Sequence, residues 1–285
     1  MGQRPVKLNN MKSFQNKIAV ITGAASGIGQ ELGLQLSALG VITILADVNK
    51  KGLDETLSKI KNAGGRASIH LLNVSKKEQV HRFAEEVIEN YGHVDIVVNN
   101  AGVALGLINI EEVTYEEMEW LLGINLWGVI YGTKAFLPFL KNRPEASIVN
   151  VSSVFGLSGI PGQGAYCISK FGVRGFTETL RAEMLEQKNM HVMVVHPGGI
   201  KTNIAKNARH RDIDEKEKAI LDNQFELNAR TTSAEAARQI IKGIRKKNPR
   251  IRIGIDGLWM DRIYRLMPIR AVAFFARLVK RINEK

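Results

Sequence analysis

From Lys17 onward, short runs of β-branched residues alternate with longer segments in which apolar residues recur at helical spacing. That alternation is the pattern of βαβ units, in which a crossover helix returns the chain to a parallel strand. Strands are predicted over Ile18–Thr22, Ile42–Ala46, Ser68–Leu72, Asp95–Asn99, Ile148–Val151, Val192–His196 and Arg250–Gly254, seven in all. Several are apolar almost throughout, as expected where helices cover both faces; a sheet with one wet face would alternate. Helices are predicted over Ile28–Leu39, Lys50–Asn62, Lys76–Tyr91, Tyr115–Leu140, Gly164–Gln187 and Ala234–Lys246. Asn49, Ser75, Thr114 and Ser233 are the candidate N-caps, and Glu78 and Glu117 complete capping-box patterns after Ser75 and Thr114. The expected fold is a single doubly wound α/β Rossmann domain over residues 16–255, with a seven-stranded parallel sheet and helices on both faces.

One stretch breaks the alternation. Thr202–Thr232 contains the charge-dense run ARHRDIDEKEKA and separates the sixth strand from the last crossover helix. A connection of this length in a compact domain is usually functional or mobile, which makes residues 202–232 a candidate substrate lid. A solvated helix pair without substrate contact is the ordinary alternative.

The first strand runs straight into Thr22-Gly23-Ala24-Ala25-Ser26-Gly27-Ile28-Gly29, and a helix follows. Gly23 suits a tight turn, Gly27 lets backbone approach a pyrophosphate, and Gly29 lets helix and strand pack closely. The amides around Ser26, Gly27 and Ile28 then face the phosphates at a helix N-terminus. A glycine triplet is weak evidence alone and gains weight from its strand–turn–helix setting. Asp47 ends the second strand 18 residues beyond Gly29, close to the spacing at which a carboxylate takes the ribose hydroxyls of NAD. Val48 follows, and no Arg or Lys in the turn would neutralise the 2′-phosphate of NADP, so NAD is the expected cofactor. A purely capping Asp47 would predict no discrimination.

Tyr166 and Lys170 stand four apart in a segment of helical period, so phenol and ammonium share a face. An unperturbed tyrosine titrates near pH 10 and is a poor base at neutrality. A cation about 4 Å away at an effective dielectric of about 20 contributes roughly 4 kcal/mol, about three pKa units before desolvation takes some back. That would bring the phenol toward pH 7, where general acid–base chemistry is efficient. Such a pair occurs by chance on many helices, and its weight comes from company. Ser153 lies 13 residues before Tyr166 at a strand end, the edge where ligands of open α/β sheets bind.

Taken together these motifs resemble the classical short-chain dehydrogenase/reductase family. The resemblance covers about residues 16–255: TGAASGIG at 22–29, NNAG at 99–102, Asn125 in INLWG, Ser153, YCISK at 166–170 and HPGGIKT at 196–202. It implies an oxidoreductase in which Tyr166 is the acid/base and Lys170 lowers its pKa and holds the nicotinamide ribose. Ser153 would bind the substrate oxygen, and Asn125 would anchor the water linking Lys170 to solvent. Asn100, Ala101 and Gly102 would border the adenine ribose, and Pro197, Gly198, Ile200 and Thr202 would line the nicotinamide. The family commonly places Asp-Val after the third strand to contact adenine. Here the pair is Asn73-Val74, whose amide oxygen can still accept from the adenine amino group. A homotetramer or homodimer is implied as well. The reaction expected is interconversion of an alcohol with a ketone or aldehyde; the reading from a different class is a non-catalytic NAD-binding module.

Composition and charge alter this picture at one end of the chain. Hydrophobic residues make up 45% and charged residues 24%, ordinary for a folded domain. Cys167 is the only cysteine and the N-terminus reads as a polar extension over residues 1–15, so a reducing cytoplasm is the expected setting. Cys167 is turned away from the face of Tyr166 and is expected to be a small buried side chain. His196 has no partners at ligand spacing, so no metal site is expected. Trp120 and Trp127 are expected in core or helix–helix packing. The net charge of +12 would suit nucleic acid if spread over the fold, but residues 242–285 carry 13 Lys and Arg against three carboxylates, which is +10 of it. No nucleic-acid partner is expected. In the tail, residues 256–285, Ile269, Val272, Phe275, Ala276, Val279 and Ile282 form an apolar stripe beside Arg270, Arg277, Lys280 and Arg281. A basic amphipathic helix of this kind either lies on an anionic membrane surface, which would suit a lipophilic substrate, or packs on a neighbouring subunit or the lid.

Overall fold

Parity along each strand decides which of two cores a side chain joins. The computed structural model describes residue 11 and residues 13–204, 207–210 and 229–283. It contains strands Ile18–Thr22 (β1), Ile42–Asp47 (β2), Arg66–Leu71 (β3), Ile96–Asn99 (β4), Ala146–Val151 (β5), Met190–Pro197 (β6) and Arg250–Ile253. Between β6 and Arg250–Ile253 lie two short strands, Ile200–Lys201 (β7) and Thr231–Thr232 (β8), so the last strand is β9. The seven long strands form one sheet in the order β3-β2-β1-β4-β5-β6-β9, parallel at every pairing. Ala19, Ile21, Val98, Val149 and Val195 point to one core, with Leu32, Leu36, Ile240 and Ile244 from the covering helices. Ile18, Val20, Val97, Ile148 and Val192 point to the other, with Phe83, Phe136, Leu140 and Leu180. Two buried faces are why these strands read as continuous apolar runs.

The helices are Gly27–Ala38 (α1), Lys50–Asn62 (α2), Lys77–Tyr91 (α3), Tyr115–Leu122 (α4), Gly128–Lys141 (α5), Gly164–Glu183 (α6) and Ser233–Arg245 (α7). Two more follow β9: Ile255–Leu266 (α8) and Pro268–Asn283 (α9). Asn49 caps α2 by accepting from the Gly52 amide, and Thr114 with Glu117 forms the expected capping box. Two caps differ from expectation. Lys76, without a side-chain bond, precedes α3, because Ser75 is held by the Asn73 carbonyl oxygen of its side chain at 3.0 and 2.8 Å. Thr232 caps α7 through the Glu235 amide, while the Ser233 hydroxyl donates to the Lys201 carbonyl at 2.6 Å. The helix predicted over Tyr115–Leu140 is interrupted by a π-helical turn, Gly123–Trp127, and α6 stops short of Gln187. β7 and β8, a two-residue parallel pair, were not foreseen.

A buried polar chain crosses the sheet. Asn99 Nδ2 donates to Asn150 Oδ1 at 2.8 Å and Thr133 Oγ1 at 3.1 Å, and Asn150 Nδ2 donates to Thr177 Oγ1 at 3.0 Å. Gly132 on α5 leaves room for the Asn99 amide, which a Cβ would strike. Of the expected lid, residues 205–206 and 211–228 lie outside the described residues, as do residues 1–10 and 12 of the N-terminal extension. Among the described residues no helix is long and apolar enough to cross a membrane.

In the tail, the structure buries Phe275 of the predicted stripe, together with Ala271, against Ile160, Cys167, Phe155 and Phe171, and exposes Ile269 and Val272. The side chains of Val279, Lys280, Arg281 and Ile282 lie outside the described residues. α8 is tied to β9 by the buried carboxylate of Asp261, which accepts from Arg250 and Arg252 at 2.6 Å each and from Arg265 at 3.1 Å. These three guanidinium bonds outweigh the cost of burying the carboxylate and hold its pKa down at about 2.

Candidate active site

β1, β4, β5 and β6 all end at one edge, and the predicted site residues collect there. Thr22, last in β1, presents its hydroxyl oxygen to the amides of Asn100 and Ala101 at 3.0 and 3.1 Å. Asn100 Nδ2 reaches back to the carbonyls of Thr22 and Gly23 at 2.9 and 3.2 Å, so the NNAG segment buttresses the glycine turn. Gly23 has φ +67°, and a Cβ there would lie 2.8 Å from Ala101 Cα; at Gly29 a Cβ would strike the Gly23 carbonyl. Ser26 precedes α1 in extended conformation and makes no cap bond, leaving the helix start with the unfilled amides that bind phosphate oxygens. Ile28 is buried beneath the turn. The Asp47 carboxylate accepts from the Ala25 amide at 3.1 Å and the Asn49 amide at 2.9 Å, which fixes it beside the turn, with Val48 exposed next to it.

Pro197 ends β6, and the Gly198 amide donates to the Ile253 carbonyl at 2.9 Å. Ile200 is buried, and Thr202 folds back until its methyl lies 3.3 Å from where a Cβ on Gly27 would stand. Val74 is buried against Gly128. Asn73 behaves differently from expectation in one respect: the amide oxygen expected to meet an adenine amino group already accepts the Ser75 amide and hydroxyl.

Ser153 follows β5, and Tyr166 and Lys170 face it from the first turns of α6. The phenol and the Ser153 hydroxyl are hydrogen-bond partners, and Ser153 Oγ also accepts from the Phe155 amide at 3.1 Å. Lys170 is buried; its ammonium donates to the Val151 carbonyl at 3.2 Å and sits 5.4 Å from the centre of the Tyr166 ring. Spacing alone predicts that cation–phenol attraction dominates. Here burial dominates, pushing Tyr166 up to about 12 despite the Ser153 bond, and drawing Lys170 down to about 8.

Asn125 occupies the π turn, a distortion that recurs at functional sites. Its amide clamps both backbone groups of Val103, accepting from N at 2.8 Å and donating to O at 2.9 Å, and reaches Ser169 Oγ at 3.4 Å. Gly102 separates it from Lys170: a Cβ there would lie 3.3 Å from Asn125 Oδ1 and 3.5 Å from Lys170 Nζ. Around Tyr166 the loops interlock. Leu105 bridges to Arg209 and Ile108 to Gln163, and Val103, Leu105, Ile108, Val113, Met118 and Trp120 supply an apolar wall.

The family model for short chain dehydrogenase matches residues 17–213 of this chain. The chain belongs to the short-chain dehydrogenase family. It is 39% identical over 260 residues to SadH of Mycobacterium tuberculosis, a protein named as an oxidoreductase, covering 90% of this chain and 93% of that one. A short chain dehydrogenase/reductase from Burkholderia phymatum, solved with NAD, superposes with a TM-score of 0.82 at 28% identity, covering 90% of this chain and 95% of its own. An alcohol dehydrogenase from Thermococcus sibiricus, complexed with 5-hydroxy-NADP, superposes with a TM-score of 0.71 at 25% identity over 84% of this chain and 96% of that one. As a short-chain dehydrogenase this chain is an oxidoreductase that binds a nicotinamide cofactor, and the glycine cradle, in which a Cβ at Gly23 or Gly29 would collide with backbone, fits one.

From the sequence His196 carries no role beyond the absence of metal-ligand partners; the structure places it against the Ser153 loop. His196 is fully buried, with Nδ1 3.0 Å from the Ser153 carbonyl oxygen; a carbonyl only accepts, so Nδ1 carries the proton. Nε2 is buried with no partner. The register that sets Val151 against Val195 would have placed His196 beside this loop. Cys167 is buried as expected, with burial raising its pKa. Trp127 is not in a core: it is 49% exposed and stacks on Tyr131, and Trp120 lies under the Arg209 guanidinium at 3.6 Å. Among the described residues no cluster of side chains suits a metal ion.

Proposed function

We propose that this chain interconverts a lipophilic alcohol with the corresponding ketone or aldehyde, using NAD(H). The observation that carries the reading is the meeting of Ser153, Tyr166 and Lys170 at the sheet edge next to the glycine turn. When bound, NADH would supply the hydride for reduction and NAD+ would accept it in oxidation. In the reducing direction the protonated phenol of Tyr166 gives its proton to the substrate oxygen while the Ser153 hydroxyl hydrogen-bonds that oxygen; in the oxidising direction the phenol receives it. With burial raising its pKa to about 12, Tyr166 rests as the acid. Forming a phenolate puts a negative charge close to the buried ammonium of Lys170, where a low dielectric strengthens the attraction. Asn125 holds Val103 and so keeps the strand end from closing on Lys170. Asp47, tied to the turn by two amides, supports a preference for NAD, because a 2′-phosphate would meet a carboxylate. The wall of Val103, Leu105, Ile108 and Met118 supports an apolar substrate.

The test is Tyr166→Phe, assayed by NADH absorbance against a panel of hydrophobic secondary alcohols and ketones, with NADH binding followed separately by fluorescence. Turnover is expected to fall by at least about 100-fold with binding retained. A Phe variant that turns over normally would refute the role of Tyr166. A wild-type chain that binds NADH and turns over nothing in the panel would favour a binding module.

A further inference from the structure

α8 and α9 meet at an elbow reading Arg265-Leu266-Met267-Pro268-Ile269-Arg270. Leu266 and Ile269 are 81% and 88% exposed, and Met267 and Pro268 are exposed between them. Trp259 and Arg262 project from α8 on the same outward side as Leu266, and Val272, Phe274 and Arg277 are exposed along α9. Single apolar side chains scattered over a surface are ordinary, whereas a continuous exposed run marks an interaction site. Leu266, Met267 and Ile269 lie outside the apolar cluster that seats the elbow. Ala271 and Phe275 seat it from the inner face, together with Ile263, Tyr264 and the Asp261 carboxylate.

The charge on the elbow is of one sign. Arg262, Arg265, Arg270 and Arg277 are exposed, and the only carboxylate among the described side chains of residues 255–277, Asp261, is buried. We propose that the elbow docks on an anionic lipid surface, with Leu266, Met267 and Ile269 entering the acyl boundary and Arg262, Arg270 and Arg277 meeting lipid phosphates. A second copy of this chain is the competing occupant. A two-fold contact there would set elbow against elbow and arginine against arginine, which like-charge repulsion opposes. An anionic bilayer satisfies both the apolar and the basic residues. The inner face of the same helices packs on Phe155, whose ring meets Tyr166 edge-to-face at 6.0 Å, so docking would bring the pocket loop close to the membrane in which a lipophilic alcohol dissolves. The inference stands on the elbow and does not require the redox reading.

The test is co-sedimentation of the full chain with vesicles of phosphatidylcholine, and of phosphatidylcholine with about one-third phosphatidylserine, at about 0.1 M and about 0.5 M salt. Binding is expected on the phosphatidylserine vesicles and should weaken at the higher salt. Replacing Arg262, Arg270 or Arg277 by Ala should weaken it by about fivefold each. A double variant, Leu266→Glu with Ile269→Glu, should abolish binding while its thermal melt and NADH binding stay as in the wild type. No binding by the wild type, or undiminished binding by the double variant, overturns the inference. A double variant that changes the oligomeric state and leaves vesicle binding alone overturns it as well, and assigns the elbow to contact between copies.

Discussion

Replacing His196 by Asn is expected to leave a folded enzyme whose stability responds markedly less steeply to acid than that of the wild type. Two histidines, His191 and His196, are buried and held neutral, each with its pKa lowered from 6.5 to about 4 mainly by burial. Below pH 6.5 the unfolded chain takes up protons at both, while the folded chain resists until about pH 4. Stability therefore falls as pH drops through that window. A drop from 6.5 to about 4 corresponds to about 3 kcal/mol for each residue, so the pair removes roughly 6 kcal/mol, comparable with the whole stability of many domains. Asp261 acts lower, between its ordinary 3.8 and about 2, whereas half-buried His70, its pKa also lowered by burial, adds to the same window in both proteins. The two histidines also differ. His191 Nδ1 faces the Ser147 hydroxyl at 3.2 Å, which can turn a lone pair toward an added proton, whereas a proton on His196 Nε2 would find no acceptor. Asn at 196 keeps an N–H near the Ser153 carbonyl and cannot titrate. Urea unfolding of both proteins between about pH 7 and about pH 4.5 measures the slopes. A flat wild-type curve, or an unchanged slope in His196→Asn, refutes the reasoning whatever the absolute stabilities are.

Asp261→Ala should lower stability by about 3 kcal/mol, because it leaves Arg250 and Arg252 part-buried without a counter-charge; a urea melt within 1 kcal/mol of wild type would show the pairing to be incidental. Gly29→Ala should abolish NADH binding at little cost in helicity, since its methyl would push the Gly23 carbonyl out of the turn, and fluorescence titration beside circular dichroism checks both halves. For Asp47→Ser the ratio of NADPH to NADH turnover should rise by about tenfold or more once the carboxylate is gone, and an unchanged ratio would confine Asp47 to bracing the Ala25 amide.

Much of the scaffold was legible because strand parity, glycine placement and cap residues are local. The Thr114–Glu117 capping box and the Asn49 cap need only a few residues of chain to form. Features that depend on three-dimensional neighbours were not. The π turn that seats Asn125 adds one residue to a helical turn, a change too small for periodicity to register over Tyr115–Leu140. The inner face of α9 centres on Ala271, whose small side chain permits close approach but adds little to an apolar stripe read by hydrophobicity. Spacing put Tyr166 and Lys170 on one face, yet their electrostatics turned on burial, which sequence does not report. The pairing of His196 is not legible because its partner is a backbone carbonyl 43 residues away, invisible to any side-chain pattern.

The buried amides of Asn99 and Asn150 bear on how the sheet finds its alignment. β4, β5 and β6 are rich in valine and isoleucine, and sliding one strand by two residues would keep every apolar side chain on its proper face. Hydrophobic burial alone barely distinguishes such slipped pairings. The bond from Asn99 to Asn150, continued to Thr177, forms in only one alignment, and any slip strands amides in the interior at a cost of about 1–3 kcal/mol for each unpaired group. Leucines at both positions should therefore still give a collapsed α/β protein, but one that refolds with slow, heterogeneous kinetics as misaligned strands separate and pair again. The amides act as an address for strand alignment, and because Ser153 follows directly on β5, they set the position of the hydroxyl proposed to bind the substrate oxygen.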